Sequence, residues 1–104
     1  MNVYDIHYVT VPLGESDYER PCIIVGITGQ TDRVLAISTK ISDYYRRNRD
    51  FLLDASHADF RMTGLPQSSF VYGQHEFGVP RRNVGRYCGK LAGKLLADFR
   101  KWYA

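Results

Sequence analysis

Apolar positions recur with period two along most of the chain, then switch to a helical period near its end. Residues 3–12 are rich in Val, Tyr, Thr and Ile, the composition of a half-buried strand. Residues 22–27 read CIIVGI, an apolar run too short for a free-standing helix, and predict a buried central strand. Pro21 fits at its start, where a missing N–H does little harm. The segment TGQTDR (28–33) carries turn chemistry in Gly29 and Asp32. A third strand is predicted over 34–41. Leu35, Ile37, Thr39 and Ile41 share one of its faces, and Val34, Ala36, Ser38 and Lys40 the other.

A polar segment, SDYYRRNRD (42–50), precedes a short predicted strand at 51–54. Ser56-His57-Ala58-Asp59 has the spacing of a capping box and predicts one helical turn. Further strands are predicted at 67–72 and 84–91. From about Ala92 the period becomes helical: Leu91, Ala92, Leu95, Leu96, Phe99, Trp102 and Tyr103 fall on one face, Lys90, Lys94, Asp98 and Lys101 on the other. Five or six short strands with one terminal helix predict a mostly-β, α+β domain, built as a small barrel or a strongly bent sheet. The pattern leaves SH3-like, OB-like and other small barrels open.

With 104 residues there is room for one domain, 1–104, and one core. No repeat, low-complexity segment or Pro/Gly-rich linker marks a boundary. A chain 44% hydrophobic and 24% charged has the balance of a globular protein, which excludes the disordered and fibrous classes. No apolar run approaches the roughly 20 residues that span a bilayer. The first residues lack both a basic region and a small-residue cleavage site, so they do not read as a secretory signal, and a cytoplasmic location is expected. Cys22 and Cys88 form no CxxC pair and read as small buried hydrophobes of a reducing compartment. The net charge of +3 is unevenly spread: residues 1–30 hold one base and four acids, residues 81–104 seven bases and one acid. A basic end of this kind attracts polyanions, although a solvated helix face has the same composition.

His7, His57 and His75 lack metal-ligand spacing, no glycine-rich loop carries the lysine of a phosphate loop, and no GxSxG elbow is present. Three local features carry chemistry. In GESDYERP (14–21) an acidic loop ends in Arg20 as an apolar strand begins; a solvated hairpin loop is the plainer reading. Ser38-Thr39-Lys40 sets two hydroxyls and a cation at a strand end, or is ordinary strand-end polarity. Tyr44 and Tyr45 stand beside Arg46, Arg47 and Arg49, which suits stacked bases and paired phosphates but also suits a plain surface loop.

In order and spacing these features resemble the PemK/MazF-like toxins of type II toxin–antitoxin systems. The resemblance runs from Asp5-Ile6, through Gly14, Glu15, Arg20, Pro21 and the CIIV strand, to Ser38-Thr39. It continues through the segment from Thr63-Gly64-Leu65 to Ser69-Phe70-Val71, then Val79-Pro80 and Gly89-Lys90-Leu91. The chain departs from the pattern at Tyr4, where the family tends to have Gly, and at Gln74-His75. There His75 falls at the family's usual glutamine, one place after Gln74.

The resemblance implies an SH3-like barrel, a homodimer, an acidic antitoxin partner, and metal-independent, sequence-selective cleavage of single-stranded RNA with no cofactor. The 2′-hydroxyl of RNA attacks the adjacent phosphorus, which calls for a base, an acid and a cation. By the resemblance Arg20 holds the phosphate charge, Ser38 or Thr39 bonds the phosphate, and Glu15 acts as base or orients Arg20. A histidine at position 75 suits proton transfer near neutrality. Lys40, Tyr44, Tyr45, Arg46, Arg47, Arg49 and Gln74 are the expected RNA contacts. Two other readings stay open: a non-catalytic RNA- or protein-binding module, and a gyrase-inhibiting toxin whose contact surface would include Trp102 and Tyr103.

Overall fold

The computed structural model describes residues 1–11, 18–39 and 49–104, with the side chains of Tyr18 and His75 outside that description. Expectations for Glu15, Lys40, Tyr44, Tyr45, Arg46 and Arg47 lie outside the described residues. Among the described residues six strands form one antiparallel sheet: β1 (Asp5–Val11), β2 (Tyr18–Thr28), β3 (Thr31–Ser38), β4 (Phe51–Leu53), β5 (Ser69–Pro80) and β6 (Val84–Lys90). Their spatial order is β4-β5-β3-β2-β1-β6, and helix α1 (Gly93–Tyr103) closes the chain. The fold is the mostly-β, curled sheet with a C-terminal helix that the patterning predicts.

The centre of the sheet is buried on both faces. From β2, Ile23 and Val25 join one apolar cluster while Cys22 and Ile24 join another; from β3, Leu35 and Ile37 part from Val34 and Ala36 in the same way. This is the two-sided burial that an unbroken apolar run implies. Helix α1 lays Leu95 and Phe99 into the first cluster, with Leu96, Trp102 and Tyr103 packed at its margin. Phe99 is fully buried and meets Tyr4, Phe51, Trp102 and Tyr103 at ring-centroid distances of 5.5–6.0 Å.

Several expectations are corrected. The turn after β2 is only Gly29-Gln30, with Gly29 at φ 57°, and β3 begins at Thr31. Asp32 is therefore not a turn residue: it is fully buried in β3 and accepts two hydrogen bonds from Arg81, at 2.9 and 3.3 Å. The helical turn expected at 56–59 forms instead as a 3-10 turn at Phe60–Thr63. Ser56 caps nothing there, because its N–H and hydroxyl both donate to Asp54 Oδ1. Asp59 caps a different helix, accepting the Lys94 N–H of α1 at 2.9 Å.

The strand expected at 67–72 runs on to Pro80 as β5. Its polar GQHE stretch reads as an interruption because it is a bulge. Leu35 pairs with Glu76 and Ile37 with Val71, so two steps along β3 face five along β5. Tyr4 also has a structural meaning. It adopts φ 75°, a left-handed conformation open to glycine and costly to other residues. Its N–H donates to Ile24 O (2.7 Å), its carbonyl accepts Leu91 N–H (3.0 Å), and its ring meets Phe99 edge-on.

Candidate functional site

The register of the central strands brings two of the candidate residues together. On β2, Arg20 lies two residues before Cys22; on β3, Ser38 lies two residues after Ala36; Cys22 and Ala36 are partners. Side chains two apart along a strand share a face. Arg20 and Ser38 thus sit across from each other just past the paired ladder, on the face that carries Cys22 and Ala36. On their far sides Arg20 pairs with Val9 of β1 and Ser38 with Phe70 of β5. Arg20 is half-buried, held where its strand enters the core.

The neighbouring Cys22 thiol reports the local electrostatics. Burial pushes its pKa up to about 12, and the Arg20 charge works against that rise. The thiol also donates to the Arg20 carbonyl at 3.6 Å. Cys22 is the buried hydrophobe expected; Cys88 is only half-buried, and its thiol, also raised by burial, donates to Thr63 O. Both cysteines are free.

Thr39 lies beyond the end of β3 and is exposed. It lines an open pocket of about 600 Å³ with residues of β4, of the turn that follows it, and of the segment entering β5. Ser38 and Thr39, alternatives in the sequence, therefore have different surroundings: Ser38 shares a face with Arg20, and Thr39 borders the pocket.

Gln74 and the backbone of His75 lie in the β5 bulge, beside the sheet row of Ala36 and Cys22 and next to the row of Ser38 and Arg20. Strand spacing sets β5 about 10 Å from β2 along the sheet. Arg49 reaches the bulge, its Nη1 donating to Gln74 Oε1 at 3.3 Å. The same arginine stands 3.5 Å from Asp50 Oδ1, and that oxygen accepts the Gly73 N–H at 3.3 Å. Asp50, 2% exposed, was no candidate in the sequence, where it reads as one acid in a polar run. A Cβ on Gly73 would overlap the Arg49 carbonyl oxygen, which explains the glycine there.

The remaining chemistry is structural or dispersed. His7 donates from Nδ1 to Gly85 O at 3.0 Å and tilts against Tyr87, tying β1 to β6. His57 Nδ1 accepts the Asp59 N–H at 3.1 Å. Three cations of the basic C-terminal end are engaged: Arg81 is bound to Asp32, Arg86 lies over the Tyr8 ring at 4.3 Å, and Arg100 over Tyr4 at 5.9 Å. Trp102 and Tyr103 are half-buried in the aromatic cluster, and Tyr103 Oη donates to Glu76 at 2.5 Å. Among the described residues no three His, Cys, Asp or Glu side chains converge into a metal-holding set, and no helix is long and apolar enough to cross a membrane.

The geometry defines a small, curled β-sheet capped by a C-terminal helix. No family model and no curated protein sequence matches the chain. Among solved structures it is similar to the Mycobacterium tuberculosis toxin MazF-mt6, with a TM-score of 0.69 at 18% identity, over 95% of this chain and 91% of that one.

Proposed function

We propose that the chain is the toxin of a type II toxin–antitoxin system and a metal-independent endoribonuclease acting on single-stranded RNA. The observation that carries this reading is the juxtaposition of Arg20 and Ser38 at the end of the central strands of a MazF-like fold. A guanidinium beside a hydroxyl suits a phosphate: the fork can hold two oxygens, and the hydroxyl a third contact.

In the proposed reaction the 2′-oxygen attacks the adjacent phosphorus. The P–O5′ bond breaks, leaving a 2′,3′-cyclic phosphate and a 5′-hydroxyl. The proton lost from the 2′-hydroxyl goes to a base, for which Glu15 and His75 are the candidates, and the leaving oxygen takes a proton from an acid. Arg20 stabilises charge building on the phosphate, with Ser38 or Thr39 as hydrogen-bond donor. Arg49 and Gln74, already in contact, belong to the RNA-binding surface together with Lys40, Tyr44, Tyr45, Arg46 and Arg47. An acidic antitoxin, a homodimeric assembly and a cytoplasmic setting complete the proposal.

The gyrase-inhibitor alternative, which looks to an exposed Trp102-Tyr103 end, is less favoured, since both rings are half-buried and pack at the core margin. The test is incubation of purified protein and of Arg20→Ala with a long single-stranded RNA in EDTA, followed by end-mapping. Discrete cuts by the wild type, slowed on the order of 100-fold or more in Arg20→Ala, are expected. A folded wild-type protein that leaves the RNA intact overturns the enzyme reading.

A further inference from the structure

We propose that the pocket beyond the end of β3 receives a splayed nucleobase bearing an exocyclic amino group, and that Asp54 determines this specificity. The inference rests on the RNA reading above and deepens it. The pocket of about 600 Å³ begins at Thr39, the residue after Ser38, so a strand with its phosphate at Arg20 and Ser38 has a neighbouring base within reach. Leu52, Pro66 and Phe70 give it apolar walls, and Asp54 and Gln67 give it polar groups. Unstacked RNA bases are recognised in this way, with apolar surface against the ring and hydrogen bonds at its edge.

The carboxylate of Asp54 is held in one orientation. Its Oδ1 accepts the Ser56 N–H at 2.9 Å and the Ser56 hydroxyl at 2.8 Å. Among the described residues its Oδ2 accepts nothing, and the side chain is exposed to the pocket. Ser68, which also lines the pocket, accepts the Ala55 N–H at 2.8 Å, which fixes the turn carrying Asp54 against the segment entering β5. The Ser56 hydrogen bonds also hold the Asp54 carboxyl below the usual carboxylate range, so at neutral pH it only accepts. Set against the exocyclic position, an acceptor-only group pairs with the amino group of cytosine, adenine or guanine and opposes the O4 of uracil, whose only edge donor is the ring N3–H. Gln67 can both donate and accept, and so complements the ring acceptor beside an amino group.

The test is a random-sequence single-stranded RNA pool incubated with the wild type and with Asp54→Asn. Both the cut ends and the protein-retained RNA are sequenced. Asn keeps the acceptor that Ser56 uses and offers an N–H₂ where the free oxygen stood. In the wild type, one position near the cut should favour an amino-bearing base over uracil by about tenfold or more. In Asp54→Asn that preference should vanish or invert toward uracil, with the base preferences at the other positions retained. Cutting by both proteins with identical base preferences overturns the proposal and leaves the ribonuclease reading standing. If neither cuts, the retained pool decides by the same comparison; a pool retained without sequence preference, or not retained at all, overturns the proposal.

Discussion

The carboxylate of Asp50 accepts the backbone N–H of Gly73 at 3.3 Å, joining the residue before β4 to the bulge of β5. The shape of the segment that carries Gln74 and His75 is thereby set by a side chain outside it. Removing a buried acceptor strands its donor, at a cost of about 1–3 kcal/mol. Asp50→Ala should therefore lower Tm by several degrees, at ~4–8 °C per kcal/mol for a domain of this size. Asp50→Asn, which keeps the acceptor, should lose less. Thermal unfolding of the three proteins checks this, and equal melting of Asp50→Ala and wild type would count against it.

Asp32 and Arg81 form another buried-carboxylate contact, here between β3 and the turn after β5. Asp32 is fully buried and Arg81 about half exposed, at 45%. Removing one member of such a pair leaves the buried carboxylate without its partner, a loss that the half-exposed arginine moderates. Arg81→Met should be destabilised. Arg81→Met combined with Asp32→Asn should recover part of the loss. A denaturant-unfolding cycle measures the coupling, and strictly additive effects would sink the idea.

The N-terminus of α1 is capped from a distance, by Asp59. Asp59→Ala should cost about 1 kcal/mol, the usual value of a lost cap. Gly93 sits at φ 57°, and a Cβ there would lie 2.6 Å from Asp59 Oδ2. Gly93→Ala should therefore be worse than Asp59→Ala alone. The pair should be less harmful than the sum of the two, because removing the carboxylate removes the clash while the backbone strain stays. Equilibrium unfolding of the four proteins settles it.

The cysteines should behave differently toward a thiol reagent. At pH 8 the native protein should expose Cys88 first, while Cys22, buried and raised to about 12, reacts only on unfolding. The same shift sets a pH dependence. A thiol whose pKa is raised on folding favours the native state while protonated, so its contribution is intact below the ordinary value of 9.0 and is lost as pH climbs toward about 12. Cys22→Ala should flatten the alkaline loss of stability over that window. An unchanged alkaline limb in this variant would contradict the assignment.

The strands of the core were legible because local alternation reports which side of a residue is wet. CIIV could only be buried on both faces, and the structure sets it in the middle of the sheet. The terminal helix was legible for the same reason, through Leu95 and Phe99. Tyr4 marks the limit of such reading: a departure from a glycine pattern in sequence is, in space, a left-handed residue held by Ile24, Leu91 and Phe99.

By itself the sequence determined the fold class, the central strands and the helix face, whereas Arg20, read as the end of a loop, lies inside β2. Tertiary structure alone decided that GQHE is a bulge rather than a strand end, and that Asp32 is a buried partner of Arg81. It also decided that Ser38 rather than Thr39 shares a face with Arg20, and that Asp50 and Asp54 stand near the candidate site. The division has a physical cause. Local periodicity records burial residue by residue, whereas register, bulges and pockets arise when distant segments satisfy one another's backbone and apolar surface, a condition no short stretch of chain contains.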